Sequence, residues 1–182
     1  MAVASRMSLE EFLALPEEKP YLEYACGKVV PKPLPTWNHG AIQGFLIYAL
    51  MRFLETNPLG RAIPELRFVF GPPDRRRAYV PDLSFVSTEH FPNGPYPDVA
   101  PDLAIEIRSP RQNVAWLMDK AQFYLANGSR LVWVIDPGAR SIAVLAPGKE
   151  SQTLGQGDTL DGGDILPGWS IAVDEILAQA DR

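Results

Sequence analysis

Two stretches, Tyr79-Val80-Pro81-Asp82-Leu83-Ser84-Phe85-Val86 and Asp102-Leu103-Ala104-Ile105-Glu106-Ile107, decide how this chain is read. Each looks like an apolar strand with acids set into it. Period-two alternation puts Leu83 and Phe85 on one face of the first, with Asp82 and Ser84 on the other. In the second, Leu103, Ile105 and Ile107 share a face, and Asp102, Ala104 and Glu106 share the opposite one. A buried carboxylate is costly unless it is paired or coordinates a metal. Two carboxylates on neighbouring strands can converge on one hard cation, because Mg²⁺ takes oxygen ligands and few protein groups. Asp102 is a poor partner for Glu106: four residues along one strand, at roughly 3.3 Å each, separate them by about 13 Å. Asp82 comes from a different strand and escapes that limit.

Downstream of Glu106, Arg108-Ser109-Pro110 leads into a helix over about 112–127, closed by Asn127-Gly128. Val114, Leu117, Met118, Ala121, Tyr124 and Leu125 form its buried stripe. Lys120 falls at the margin of that stripe, beside Tyr124, so its stem can lie under apolar cover while its ammonium reaches the sheet. Near a reacting phosphate, a fixed ammonium stabilises charge that develops only in the transition state. The following run, Leu131-Val132-Trp133-Val134-Ile135, is apolar on both faces, as a fully covered central strand would be. Asp136-Pro137-Gly138 turns into a strand from Ser141 to Leu145, and the tail holds short strands and a helical turn near Val173 to Leu177.

Upstream, the alternation extends to a strand over about 62–70, preceded by a helix from about Asn38 to Glu55 whose Ile42, Phe45, Leu46, Ala49, Leu50 and Phe53 recur at helical spacing. A hairpin pairs Tyr21-Leu22-Glu23-Tyr24 with Lys28-Val29-Val30 around Gly27. Ser8-Leu9-Glu10-Glu11 is a capping box that starts the first helix. Helices, antiparallel strands, a helical crossover and a central strand in that order predict an α/β fold, a mixed β-sheet flanked by helices.

The 182 residues suit a single domain, 1–182, with 46% apolar and 21% charged residues. The net charge of -5 runs against the basic surplus expected of a nucleic-acid enzyme. Arg75, Arg76 and Arg77 nevertheless cluster in a Pro/Gly-rich turn, either as a solvated loop or as a contact for phosphates. One cysteine, Cys26, leaves no internal disulfide framework or multi-Cys zinc site. His39 and His90 are too far apart in sequence to suggest a zinc or Cys-His pair, and His90 reads as structural. No Gly-rich phosphate loop is present. No apolar run approaches the roughly 20 residues of a membrane span, and the N-terminus lacks a secretory core, so the expectation is a soluble, cytoplasmic protein.

Pro81-Asp82 followed by Glu106-Ile107-Arg108 resembles the PD-(D/E)xK nuclease superfamily, and within it the putative restriction endonuclease (Uma-type) family. The resemblance extends over nearly the whole chain, through Glu23-Tyr24-Ala25-Cys26-Gly27, His39 at a helix start, Val80 to Val86, Pro101 to Pro110, Lys120 and Val132 to Pro137. It implies a restriction-endonuclease-like fold and a metal-dependent endonuclease acting on DNA. Asp82, Glu106 and Lys120 would be catalytic, with Mg²⁺ or Mn²⁺ held by Asp82, Glu106 and the Ile107 carbonyl. Glu23, His39 and Arg108 would be auxiliary. A homodimer also follows from the resemblance, since one centre cuts one strand. The motif lysine of the superfamily would stand at position 108, where this chain has arginine. The planar, permanently charged guanidinium is no simple substitute, and the family places its lysine at the Lys120 position. The competing reading is a catalytically silent nuclease fold that binds nucleic acid or a protein.

Overall fold

A computed structural model describes residues 7–110 and 112–181. The first half of the chain runs α1 (Leu9–Leu13), β1 (Leu22–Ala25), β2 (Lys28–Pro31), α2 (Trp37–Thr56), β3 (Gly60–Pro64), β4 (Phe68–Phe70), β5 (Arg77–Tyr79) and β6 (Leu83–Ser87). The second half runs β7 (Leu103–Ile107), α3 (Val114–Ala126), β8 (Leu131–Asp136), β9 (Ser141–Leu145), β10 (Gln152–Leu154), β11 (Thr159–Gly162), β12 (Leu166–Ala172) and α4 (Val173–Leu177).

Six strands form the central sheet, in the order β10-β9-β8-β7-β6-β3. Only β7 and β8 pair in parallel there, and α3 is the crossover between them. Alternation then sorts the side chains. Leu83, Phe85, Leu103, Ile105, Ile107, Trp133 and Ile135 pack against Ile42, Leu46 and Leu50 of α2. On the other face, Ala104, Val132 and Val134 meet Leu117, Ala121 and Tyr124 of α3. The sheet is thus covered on both sides, which is why β8 is apolar throughout. Caps at both helices follow the local sequence: Thr36 accepts from the His39 amide to start α2, and Asn127 ends α3 before Gly128 at φ 116°.

Where one strand was expected over 79–86, there are two, and they belong to different sheets. β5 lies in a four-stranded sheet, β2-β1-β5-β4, whereas β6 lies in the central one. Residues 62–70 divide in the same way, into β3 of the central sheet and β4 of the small one. Pro81 has no N–H to continue a ladder, and Glu65 turns the other crossing with a φ of 50°. The two crossings lie side by side, with the Glu65 amide donating to the Asp82 carbonyl at 3.3 Å. Asp82 therefore sits in the seam between two sheets. A hairpin turn through Cys26 and Gly27, both at positive φ, brings Glu23 and Lys32 to the same seam.

Candidate active site

The antiparallel register sets Leu83 against Ile105, so continuing the ladder by one residue places Asp82 opposite Glu106. Asp82 is held by its backbone and side chain alike. Its carbonyl accepts from the Gln43 amide group at 2.8 Å, and its Oδ2 accepts from the Ile107 N–H at 2.6 Å. On Oδ1 it meets two cation-capable groups, Lys32 Nζ at 2.7 Å and His39 Nε2 at 3.2 Å. Both contacts favour the ionised carboxylate. His39 also lies 3.4 Å from Ser109 Oγ through its Nδ1.

Glu106 belongs to the other half of the site. Lys120 Nζ stands 2.7 Å from Glu106 Oε1 and donates to Glu23 Oε1 at 2.7 Å. The Tyr124 hydroxyl donates to Glu106 at 3.2 Å, and the Val80 N–H donates to Glu23 at 3.0 Å. The Lys120 ammonium also lies 5.1 Å from the centre of the Tyr79 ring, a cation–π contact. Expected at the margin of its helix stripe, Lys120 is instead buried, with only 1% of its surface exposed. Two carboxylates and an aromatic ring make that burial tolerable.

Electrostatics separates the two acids. Burial opposes ionisation of Asp82, but Lys32 and His39 outweigh it and hold the carboxyl well below its usual range. Burial pushes Glu106 up to about 7, with Asp82 and Glu23 adding to the effect and Lys120 opposing it. Lys120 also pays for burial, yet Glu106 and Glu23 raise it well above the ordinary lysine value. A count of charges adds to the effect of burial on Glu106. Asp82, Glu106 and Glu23 carry three negative charges against two ammoniums, Lys32 and Lys120, so one carboxylate is in excess. Tyr124 and Tyr79 remain neutral phenols, Tyr79 pushed up to about 12 by burial.

The other sequence candidates are placed as follows. Ile107 engages Asp82 through its amide. Arg108 pairs with Asp136 at 2.7 Å and donates to the Gln112 carbonyl. It borders an open cavity of about 290 Å³, shared with Thr36, His39, Ser109 and Asp136. Arg75 and Arg76 are exposed, Arg75 beside Asp74. Arg77 differs from both: it pairs with Asp119 at 2.9 Å and stacks 4.0 Å from the Phe123 ring centre. Its head group is already committed within the fold. Lys32 and Tyr124 complete the site without having been singled out as site residues. Lys32 precedes Pro33-Leu34-Pro35, where no periodicity points at anything, and Tyr124 read as one more core position of α3.

The donor set suits a hard divalent cation in its chemistry: buried oxygen ligands on Asp82 and Glu106, with one carboxylate in excess over the two ammoniums. Among the described residues, no three His, Cys, Asp or Glu side chains come together as a cage. An ion here would rely on two carboxylates and backbone oxygen, with water completing its shell.

A mixed sheet covered by helices, with Asp and Glu opposed where its strands end and a buried lysine between acids, defines a restriction-endonuclease-like protein. Residues 9–174 match the Uma2 family, described as "Putative restriction endonuclease", and the chain belongs to that family. The crystal structure of a "putative nuclease belonging to DUF820" from Anabaena variabilis ATCC 29413 is similar over 96% of this chain and 99% of that one, with a TM-score of 0.89 and 27% identity. No curated protein matches the sequence. Among the described residues, no helix is long and apolar enough to cross a membrane.

Proposed function

We propose that this protein is a Mg²⁺- or Mn²⁺-dependent endonuclease that hydrolyses phosphodiester bonds in DNA. The observation that carries this reading is the pairing of Asp82 and Glu106 across adjacent strands, with Lys120 2.7 Å from Glu106. Asp82, Glu106 and the Ile107 carbonyl would hold the ion. A bound divalent ion supplies Lewis acidity at a phosphate oxygen and makes a water more acidic. The chain's own residues do the rest. The Ile107 amide fixes the Asp82 carboxylate, and Tyr124 fixes that of Glu106. Lys120, locked by Glu23 and Glu106, presents a positive charge that neither moves nor loses its proton near neutral pH. Such a preorganised charge favours the more negative transition state over the diester. His39, between Asp82 and Ser109, lines the cavity from which substrate reaches the acids, and Arg108 stands at its wall. Arg75 and Arg76, exposed, are available to more distant phosphates. A double-strand cut requires two such centres, hence a homodimer.

The test is plasmid cleavage by purified protein with Mg²⁺ or Mn²⁺, with EDTA and Glu106→Gln as controls. Glu106→Gln removes a charge with almost no change of shape. Cleavage that needs the ion and is lost in the variant supports the reading. Equal DNA binding by both proteins, with no cleavage under either ion, would instead identify a silent binding module. That alternative draws on the net charge of -5 and on the arginine at position 108.

A further inference from the structure

Lys32 is the buried cation of this site that the proposed reaction does not use. Its ammonium stands 2.7 Å from Asp82 Oδ1 and donates to the Val80 carbonyl at 2.9 Å, with one tenth of its side chain exposed. Its backbone is pinned separately, the Lys32 N–H donating to the Tyr21 carbonyl at 2.7 Å. The side chain can therefore swing away while β2 stays in place.

Asp82 has only two oxygens, and Oδ2 already accepts from the Ile107 amide. An ion ligated by Asp82 through Oδ1 would stand at about 2.1 Å for Mg²⁺, and one on the remaining lone pair of Oδ2 would still lie within a few ångströms of the Lys32 ammonium. Two cations cannot share one carboxylate at such distances without strong repulsion, because unit charges a few ångströms apart interact by several times RT even at an effective dielectric of about 20. His39, the other neighbour of Oδ1, stands farther off, at 3.2 Å.

We infer that Lys32 is a resident counter-ion of Asp82 which a divalent metal must displace, so that this lysine sets the metal affinity of the site. The inference rests on the proposed metal-dependent function. It assigns Lys32 a role opposite to that of Lys120: one lysine is fixed between two acids on either side, whereas the other holds a single acid at the edge of solvent. Displacement requires only rotation about the bonds of the Lys32 stem.

The experiment is calorimetric titration of the whole protein with Mg²⁺ and with Mn²⁺ at pH 8, in the absence of DNA. Lys32→Met should tighten binding by about tenfold or more, and Lys32→Arg, which keeps the charge, should stay near wild type. A Lys32→Met affinity within twofold of wild type, or weaker, overturns the inference. A second measurement needs no variant. Adding Mg²⁺ to wild type should raise several-fold the rate at which an amine-reactive reagent labels Lys32, read by peptide mass spectrometry, with Lys28 as exposed reference. An unchanged rate is equally fatal. If wild type and Lys32→Met both bind no divalent ion, the metal-dependent function fails, and this inference with it. Binding by wild type without a Lys32 effect removes the inference alone.

Discussion

Asp82 and Asp102 both follow a proline, both are 1% exposed, and both stand at the entry to a strand of the same antiparallel pair. The parallel goes further. Asp82 accepts the N–H of Ile107, at the end of β7, and Asp102 accepts the N–H of Ser87, at the end of β6. Each also meets a histidine, His39 at 3.2 Å in one case and His90 at 3.0 Å in the other. The difference lies in what else is present. Among the described residues, the charged neighbours of Asp102 are the distant Arg130, at 3.9 Å, and a histidine whose side chain is 43% exposed. Asp82 has a buried lysine on Oδ1 and a second acid opposite it across the ladder. An aspartate that clamps the end of a neighbouring strand is a structural device. At Asp82 a second acid and two lysines join that device, and the proposed reaction centre rests on this difference.

The comparison breaks most sharply at Lys120. Lys120→Ala should abolish cleavage and, by leaving Glu23 and Glu106 buried without their shared cation, cost about 3–5 kcal/mol in denaturant unfolding. Mg²⁺ should recover part of that loss by supplying positive charge to the same acids. A stability unchanged by the substitution would show that the two acids do not depend on Lys120.

The two aspartates themselves come next. Asp82→Asn should remove essentially all metal-dependent cleavage, whereas Asp102→Asn should leave the rate within about twofold while costing about 1–3 kcal/mol, the usual range for a buried polar group that loses its partner. Equal losses of cleavage in the two variants would give both aspartates the same role.

Titration offers a finer contrast between the two acids of the site, measured on protein kept in EDTA. The folded-state pKa of Asp82 lies below its unfolded value, so its stabilisation is present above the ordinary carboxylate range and disappears as pH falls through the folded value. Glu106 behaves oppositely. Raised to about 7 from 4.5, it makes the folded state less stable as pH climbs between those values, and adds no further slope above 7. Unfolding free energies against pH should therefore lose part of their acid limb in Asp82→Asn. They should lose a downward slope between about pH 5 and 7 in Glu106→Gln. Slopes that survive both substitutions would assign the pH dependence to other groups.

The smallest effects are expected in the arginine cluster. Arg75→Ala and Arg76→Ala should each lower the salt slope of DNA binding by about one phosphate contact and leave the melting temperature unchanged. Arg77→Ala should instead lower the melting temperature by a few degrees, because it gives up the Asp119 pair and the Phe123 ring. Identical behaviour of all three would mean that Arg77 is no more committed to the fold than its neighbours.

Much of this molecule was determined by the sequence alone. Capping at Ser8 and Glu11, the turn at Gly27, the period of α2 and α3 and the doubly apolar β8 are local signals, and each appears where local chemistry puts it. Asp82, Glu106 and Lys120 were legible as candidates because charge inside an apolar pattern is expensive and therefore conspicuous. Only the tertiary structure could decide the rest. The split of 79–86 and of 62–70 between two sheets is invisible to a period-two pattern, which continues across Pro81 although the hydrogen-bond partner changes. Lys32 joins the site from a hairpin whose own sequence carries no trace of it, through contacts made fifty positions away. Even Arg77, grouped by composition with Arg75 and Arg76, was separated from them by a ring and an acid on α3. A pattern along the chain reports which side chains must be buried. Which charges they meet there depends on strand pairing and loop crossings, and those are settled only when the sheets close on one another.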